Sequence, residues 1–191
     1  MFKDSIVQKF SEDGHEFTLT HYFDTTLCYE QIKTEAEAYW ETKGKKDAEA
    51  NYLFDNETSW SLGQMLKSQG FELGFSVVEM DGKFLAAAGL RKHDETETIC
   101  LSRFFGIPSL YPYGNAFILP LHIKLSQENG YKSTIITFNP YNEHLLNYYT
   151  RILPRKTDKV SLMVYKEIKN FKSLGLQTIN HTEQFILAYS F

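Results

Sequence analysis

The hydrophobic positions of this chain follow a period of two over several short runs, which is typical of half-buried strands. After the turn signal Asp13-Gly14, for example, Phe17 and Leu19 alternate with polar neighbours. Runs with this pattern, or with a short β-branched or apolar pattern, cover residues 15–23, 75–80, 84–90, 99–107, 133–138, 160–165 and 184–189. The sequence therefore predicts about seven strands.

Two polar turns connect three of these runs directly. Asp81-Gly82 stands between residues 75–80 and 84–90, and an Asp-Gly pair is the strongest short signal for a β-hairpin. A further polar turn at residues 93–96 leads into residues 99–107. Three successive strands are therefore expected to form an antiparallel meander.

Other segments have helical spacing. Ile32, Ala36, Tyr39 and Trp40 fall on one face of a predicted helix with charged residues opposite. About four helices are expected, over residues 27–42, 56–66, 116–129 and 145–152. Because only the helix 116–129 separates two neighbouring long strands, one central strand pair is expected to be parallel. The fold class is thus α/β (α+β), with a mixed, mostly antiparallel central sheet flanked by helices.

Composition narrows the class of protein. At 191 residues and 42% hydrophobic content, the chain suits a single domain, 1–191, with a full core. The net charge is −4 and lysines are scattered among acidic residues, which argues against nucleic acid as a partner. No apolar run of about eighteen residues and no signal peptide is found, so no membrane association and a cytoplasmic location are expected. Cys28 and Cys100 suit buried thiols better than a disulfide or a metal site, and no metal is expected.

A group of small residues, Gly114, Asn115 and Ala116, stands between the apolar runs 99–107 and 117–125. This order predicts a strand, a turn and a helix. Such a turn directs unpaired backbone N–H groups at one point, and the helix behind it adds the positive end of its dipole. A pyrophosphate fits there, although most turns of this kind before helices are only turns, and that alternative stays open.

The order of elements, with this turn in its place, resembles the GNAT superfamily of acyl-coenzyme A dependent N-acyltransferases over nearly the whole chain. In that family the motif R/Q-x-x-G-x-G/A follows the fourth strand and its amides hold the pyrophosphate of coenzyme A. Here Ile107-Pro108 follows the strand, and Tyr111, Gly114 and Ala116 occupy the three motif positions. The resemblance implies acetyl-CoA as co-substrate, bound by Ile107, Tyr111, Tyr113, Gly114, Asn115 and Ala116.

The family also commonly has an Asn after the fifth strand and a Tyr seven residues later, the spacing of Asn142 and Tyr149 here. The resemblance implies that Asn142 contacts the pantetheine arm and that Tyr149 is the general acid. A departing thiolate needs a proton, which a Tyr hydroxyl near the sulfur can supply. Asn142 also suits a helix N-cap, and Tyr149, with Tyr148 beside it, also suits a core aromatic residue.

A general base is needed if the acceptor amine arrives protonated. Glu79, Glu97 and His93 are all candidates, and the sequence does not choose among them. The resemblance implies an N-acetyltransferase that modifies an amine of a small molecule or peptide by direct attack in a ternary complex. It leaves a homodimer open.

Two alternatives remain. Tyr111 replaces the usual Arg or Gln, and Pro112 and Pro120 each remove a backbone donor. These features favour a non-catalytic binding or scaffold protein built on the same fold. An α/β nucleotide-binding protein is less attractive, because no Gly-rich signature with Lys is present.

Overall fold

A mixed β-sheet forms the centre of the protein in a computed structural model that describes residues 4–43, 61–93, 96–106, 111–138, 146–179 and 182–191. Its eight strands lie in the order β1-β2-β3-β4-β5-β6-β8-β7. They are β1 (Ser5–Glu12), β2 (His15–Tyr22), β3 (Phe75–Met80), β4 (Lys83–Lys92), β5 (Thr98–Gly106), β6 (Ser133–Phe138), β7 (Lys172–Ile179) and β8 (Thr182–Ser190). Every neighbouring pair is antiparallel except β5 and β6, which confirms the predicted fold class.

Helices cover both faces of this sheet. In the described part of the chain, the α-helices are α1 (Tyr29–Lys43), α2 (Leu62–Lys67), α3 (Tyr111–Glu128) and α4 (Lys159–Ile168). A π-helical turn, Tyr148–Ile152, and a 3-10 turn, Leu153–Arg155, precede α4. We call residues 148–155 the Tyr149 segment. Helices α1 and α2 pack on one face of the sheet, whereas α3, α4 and the Tyr149 segment pack on the other.

The β3–β4 hairpin forms as predicted from Asp81-Gly82. Both residues have positive φ angles, 52° and 75°, as a two-residue hairpin turn of the commonest type requires. Strand β4 then pairs with β5, so the three-strand meander is confirmed.

Strands β5 and β6 form the predicted parallel pair, but only over part of their length. Pairing runs from Thr98 with Ser133 to Leu101 with Ile136 and then stops. Strand β5 continues along β4 to Gly106, and β6 continues along β8 to Phe138. We call the end of the sheet at which strands β5 and β6 finish the open end. The opposite end, at which these two strands start, is the closed end.

A bulge in β5 lies where this separation begins. Gly89 pairs with Ser102 and Ala87 pairs with Phe105, so β5 places two residues, 103 and 104, opposite Ala88. An extra residue of this kind bends a strand and increases its twist. The bulge therefore accounts for the divergence of β5 from its parallel neighbour.

The predicted strand 160–165 was wrong, because this segment is helix α4. Val160, Val164 and Ile168 recur at intervals of four and are all buried, which is the spacing of one helical face. Asp158 caps the helix, since its side-chain oxygen accepts a hydrogen bond from the Ser161 backbone N–H at 2.9 Å.

Two strands were not predicted, and two helices have other bounds. Strand β1 pairs with β2 at the edge of the sheet. Strand β7 contains Gly175, which suggested a loop but occupies a register shift with a φ of 74°. The predicted helix 145–152 is helical over its described residues, with 146–147 α-helical and Tyr148–Ile152 π-helical. Part of the predicted helix 56–66 lies outside the described residues, and α2 covers Leu62–Lys67.

Candidate active site

Helix α3 begins at Tyr111, which corrects the prediction of a turn at residues 114–116. From its fourth residue onward, an α-helix uses each backbone N–H in its own hydrogen-bond ladder. The amides of Gly114, Asn115 and Ala116 are therefore engaged within α3. The sequence analysis noted that Pro112 removes a backbone donor, yet Pro is tolerated in the first turn of a helix because the N–H it lacks has no helical partner there.

Gly114 has a packing role at this position. A Cβ atom added to Gly114 would lie 2.6 Å from the Ala86 Cβ and 3.3 Å from a methyl group of Leu85. The absence of a side chain thus lets the first turns of α3 lie directly on β4. Ala116, two residues on, is also buried in the core between α3 and the sheet.

Tyr113 fixes the start of α3 to the β1–β2 hairpin. Its hydroxyl donates a hydrogen bond to the Asp13 carboxylate at 2.8 Å, and its ring stacks on Phe17 with centroids 5.2 Å apart. This hydrogen bond raises the pKa of the Tyr113 phenol, with burial as a smaller cause. The described contacts of Tyr113 are thus with the protein itself.

Asn115 and Tyr149 meet in the core at the open end. The Asn115 side-chain N–H donates a hydrogen bond to the Tyr149 phenolic oxygen at 2.7 Å. Asn115 is 6% exposed and Tyr149 is 7% exposed, and the Tyr149 ring packs on Phe138, the last residue of β6. Burial is the main reason that the pKa of the Tyr149 phenol is raised; the charge of Tyr148 adds to it and the Asn115 hydrogen bond opposes it. Tyr149 is therefore protonated at neutral pH, as a general acid must be.

The backbone around Tyr149 is unusual. Tyr149 is the second residue of the π-helical turn Tyr148–Ile152, and such turns are rare and frequently found at functional sites. Burial also raises the pKa of the neighbouring Tyr148 phenol, and the Ser161 side chain opposes that shift.

Three predicted cofactor residues are described partly or not at all. Ile107 and Asn142 lie outside the described residues. Tyr111 is the first residue of α3, and its side chain also lies outside them. Their predicted roles stay predictions.

Glu79 lies one residue before the end of β3, at the open end, on the face covered by α1. The Gln31 side chain of α1 donates a hydrogen bond to its carboxylate at 3.0 Å. Glu35, one helical turn after Gln31, has its pKa raised first by burial and then by the negative charge of Glu79. Glu79 and Tyr149 thus share one end of the sheet but lie on opposite faces.

Glu97 lies elsewhere. It precedes β5 at the closed end, where its exposed carboxylate forms an ion pair with Lys132. The structure therefore does not bring this candidate base to the end of the sheet that contains Tyr149. His93, the third candidate, bonds through its backbone N–H to the Thr98 carbonyl at the same closed end.

Sequence reasoning missed the side-chain contacts of Asn115, Gln31 and Glu35. Asn115 had been assigned only a backbone role, although Asn is a poor helix former and its presence in a buried helical turn signals a side-chain partner. Gln31 and Glu35 are four residues apart, a spacing that places both on one helical face.

Neither a metal site nor a membrane-spanning helix is found in the described part of the chain. Among these residues, no three His, Cys, Asp or Glu side chains come together in a way that could hold a metal ion. No described helix is both long and apolar enough to cross a membrane.

Comparison with known proteins defines the class of fold. No protein-family model and no curated protein matches the chain. Among solved structures, it is similar to a GNAT-family acetyltransferase from Listeria monocytogenes, with a TM-score of 0.57 and 14% identity over 96% of this chain and 100% of that one. The chain therefore has the GNAT fold.

Two other solved structures support this assignment. PaiA N-acetyltransferase from Thermoplasma acidophilum, in complex with coenzyme A, has a TM-score of 0.55 and 14% identity over 91% of this chain and 99% of that one. An acetyltransferase from Streptococcus agalactiae has a TM-score of 0.53 and 9% identity, and each chain is fully covered.

Proposed function

We propose that this protein transfers an acetyl group from acetyl-CoA to an amine of a small molecule or peptide. One observation carries the proposal: the pairing of β5 with β6 ends at Leu101 and Ile136, and both the start of α3 and Tyr149 lie at the end where the strands have parted. The GNAT fold supports it, as does the coenzyme A bound by the PaiA N-acetyltransferase.

The start of α3 fits the diphosphate of such a co-substrate, one turn earlier than the sequence suggested. Tyr111 and Tyr113 lie in the first turn of α3 within the described part of the chain, where the positive end of the helix dipole lies and N–H groups are typically left outside the helical ladder. Pro112 has no N–H to offer, so two amides of this turn are available instead of three.

In this proposal, the part of β5 beyond Leu101 binds the thioester group of acetyl-CoA. The pairing of β5 with β6 stops at Leu101, whereas β5 continues along β4 to Gly106, so this last part of β5 borders the gap between the two strands. Backbone N–H groups placed in this way stabilise a carbonyl oxygen as it gains negative charge.

In the proposed reaction, the amine nitrogen attacks the thioester carbon, and the carbon–sulfur bond breaks as the tetrahedral intermediate collapses. Tyr149 donates its phenolic proton to the departing thiolate. Glu79 accepts a proton from the amine, from the face of the sheet covered by α1. The two groups exchange protons with solvent before the next cycle.

A steady-state assay with acetyl-CoA and a panel of amines tests this function. Tyr149→Phe should lower kcat by about 100-fold or more, because general-acid catalysis typically contributes that much, and should leave KM for acetyl-CoA within about threefold. Tyr148→Phe is the matched control, since it removes the neighbouring hydroxyl, and it should retain kcat within about threefold. Equal turnover in Tyr149→Phe and the unchanged protein would remove Tyr149 from the role of acid.

A non-catalytic binding protein with this fold is the second candidate. The engagement of the amides of residues 114–116 within α3 favours it, because the predicted anion-binding turn is absent. Calorimetric titration with acetyl-CoA separates the two. A Kd of the order of micromolar supports the enzyme, whereas no binding at about millimolar concentration supports the scaffold.

A further inference from the structure

The hydrogen bond between Asn115 and Tyr149 has a defined direction. An amide nitrogen can only donate, so the Tyr149 phenolic oxygen is the acceptor over the distance of 2.7 Å. The hydrogen of the phenol is then directed elsewhere. No acceptor for it is found among the described residues.

A donor to the phenolic oxygen also changes the energetics of proton loss. When Tyr149 gives up its proton, its oxygen becomes negative, and a hydrogen bond to a charged oxygen is roughly twice as strong as one to a neutral oxygen. The Asn115 N–H therefore stabilises the phenolate more than the phenol. This offsets part of the cost of forming a buried charge.

We propose that Asn115 is a positioning residue for acetyl transfer: its side chain holds the Tyr149 ring, directs the phenolic hydrogen toward the leaving thiolate and stabilises the phenolate that remains. This inference rests on the proposed function, and it assigns to the Asn115 side chain a role that the helix backbone cannot fill.

One observation favours this role over simple core packing. Asn115 joins two elements, since it lies in the second turn of α3 while Tyr149 lies beyond β6. The bond thus fixes Tyr149 relative to the helix whose start is the proposed diphosphate site.

The first experiment is a double-mutant cycle on kcat. Asn115→Ala should lower kcat by about tenfold or more while KM for acetyl-CoA stays within about threefold, and it should cause no further loss in a Tyr149→Phe background. Asn129→Ala is the matched control, because Asn129 follows α3 at the closed end and its side chain donates to the Leu125 carbonyl. That control should retain kcat within about twofold. A kcat of Asn115→Ala within twofold of the unchanged protein, or an undiminished loss in the double variant, would overturn the proposal.

The second experiment reads the phenol directly and needs no turnover. Fluorotyrosine is incorporated, and the ¹⁹F resonance of position 149, assigned by its loss in Tyr149→Phe, is titrated with pH. Asn115→Ala should raise the midpoint by about one pH unit, because it removes the donor, and the isosteric Asn115→Asp should raise it by at least as much, because its carboxylate cannot donate and adds a negative charge beside the phenolate. Asn115→Asp keeps the side-chain shape, so it answers the question even if Asn115→Ala does not fold.

The two experiments separate the failure of this inference from the failure of the proposed function. If the unchanged protein transfers no acetyl group to any amine, the proposed function fails, and catalytic positioning fails with it. If the protein is active and the midpoint does not move in Asn115→Asp, the proposed function stands and Asn115 has no positioning role.

Discussion

The middle and the open end of the sheet both bury polar side chains from α3, but they use them differently. In the middle of the sheet, His122 of α3 meets Ser76 of β3 at 2.8 Å, and Ser76 meets His21 of β2 at 2.8 Å. At the open end, Asn115 meets Tyr149. Asn115 and His122 are seven residues apart, so they lie on the same face of one helix.

Every hydrogen in this chain of His122, Ser76 and His21 has a determined position. His21 donates from Nε2 to the Leu73 carbonyl at 2.7 Å, so in a neutral His21 the Nδ1 atom must accept from the Ser76 hydroxyl. The Ser76 oxygen then accepts from His122 Nε2. His122 Nδ1 is left as a buried acceptor without a partner among the described residues.

This comparison separates the buried polar groups that stabilise the fold from those that we assign to catalysis. The chain of His122, Ser76 and His21 uses all of its hydrogens within the protein, between strands that are continuously paired. The open-end pair leaves the phenolic hydrogen of Tyr149 without an acceptor among the described residues, beside strands that have separated. We therefore expect variants in the histidine chain to change stability and variants of the open-end pair to change turnover.

The largest expected effect is a loss of stability in mild acid. Burial lowers the pKa of His21 from 6.5 to about 4, and burial, with the charge of His21, lowers the pKa of His122 well below 6.5. Below pH 6.5 these histidines therefore bind protons in the unfolded chain but stay neutral in the folded protein. The free energy of unfolding has its full value above pH 6.5 and falls as the pH decreases toward 4. At about pH 5, His21 alone lowers it by about 2 kcal/mol.

Urea unfolding at about pH 7.5 and about pH 5 measures this effect, with His122→Gln as the comparison. Glutamine keeps a donor in the place of Nε2 but does not titrate. The difference in unfolding free energy between the two pH values should be smaller in His122→Gln than in the unchanged protein, whatever the stability of the variant at neutral pH. An identical difference in both proteins would show that His122 does not contribute.

The architecture of both ends was predictable where local chemistry decides the structure. Asp81-Gly82 defined the hairpin, and the single helix between β5 and β6 defined the parallel pair. The prediction failed where a local rule has two structural outcomes. Gly114 fits a turn as well as a helix that packs closely on a strand, and in the structure it lies in α3 against Ala86 of β4.

The candidate site was predicted in part for the same reason. Tyr149 and Glu79 were named from spacing and position, and the structure places both at the open end. Glu97 was named on equal grounds, but the direction of β5 carries it to the opposite end. The hydrogen bond of Asn115 to Tyr149 joins residues thirty-four apart, a long-range contact that no local pattern contains.

A smaller effect is expected from Gly114→Ala. This substitution tests whether the absence of a side chain at residue 114 lets α3 pack closely on β4 at the open end. The new methyl group would meet the Ala86 Cβ at 2.6 Å, so the unfolding free energy should fall by about 1–3 kcal/mol. The double variant Gly114→Ala with Ala86→Gly removes the opposing methyl group and should recover part of that loss. Equal thermal and urea stability of Gly114→Ala and the unchanged protein would contradict a close helix–strand contact.

The smallest effect is expected from Glu97→Gln, at the surface of the closed end. The ion pair of Glu97 with Lys132 is exposed to solvent, where such pairs contribute about 0–1 kcal/mol, so the unfolding free energy should change by no more than that. Turnover should stay within about twofold, whereas Glu79→Gln should lower kcat by about tenfold or more and steepen its dependence on the fraction of unprotonated amine. The two substitutions are chemically identical and differ only in the end of the sheet they change. A large loss of turnover in Glu97→Gln with none in Glu79→Gln would reverse the assignment of chemistry to the open end.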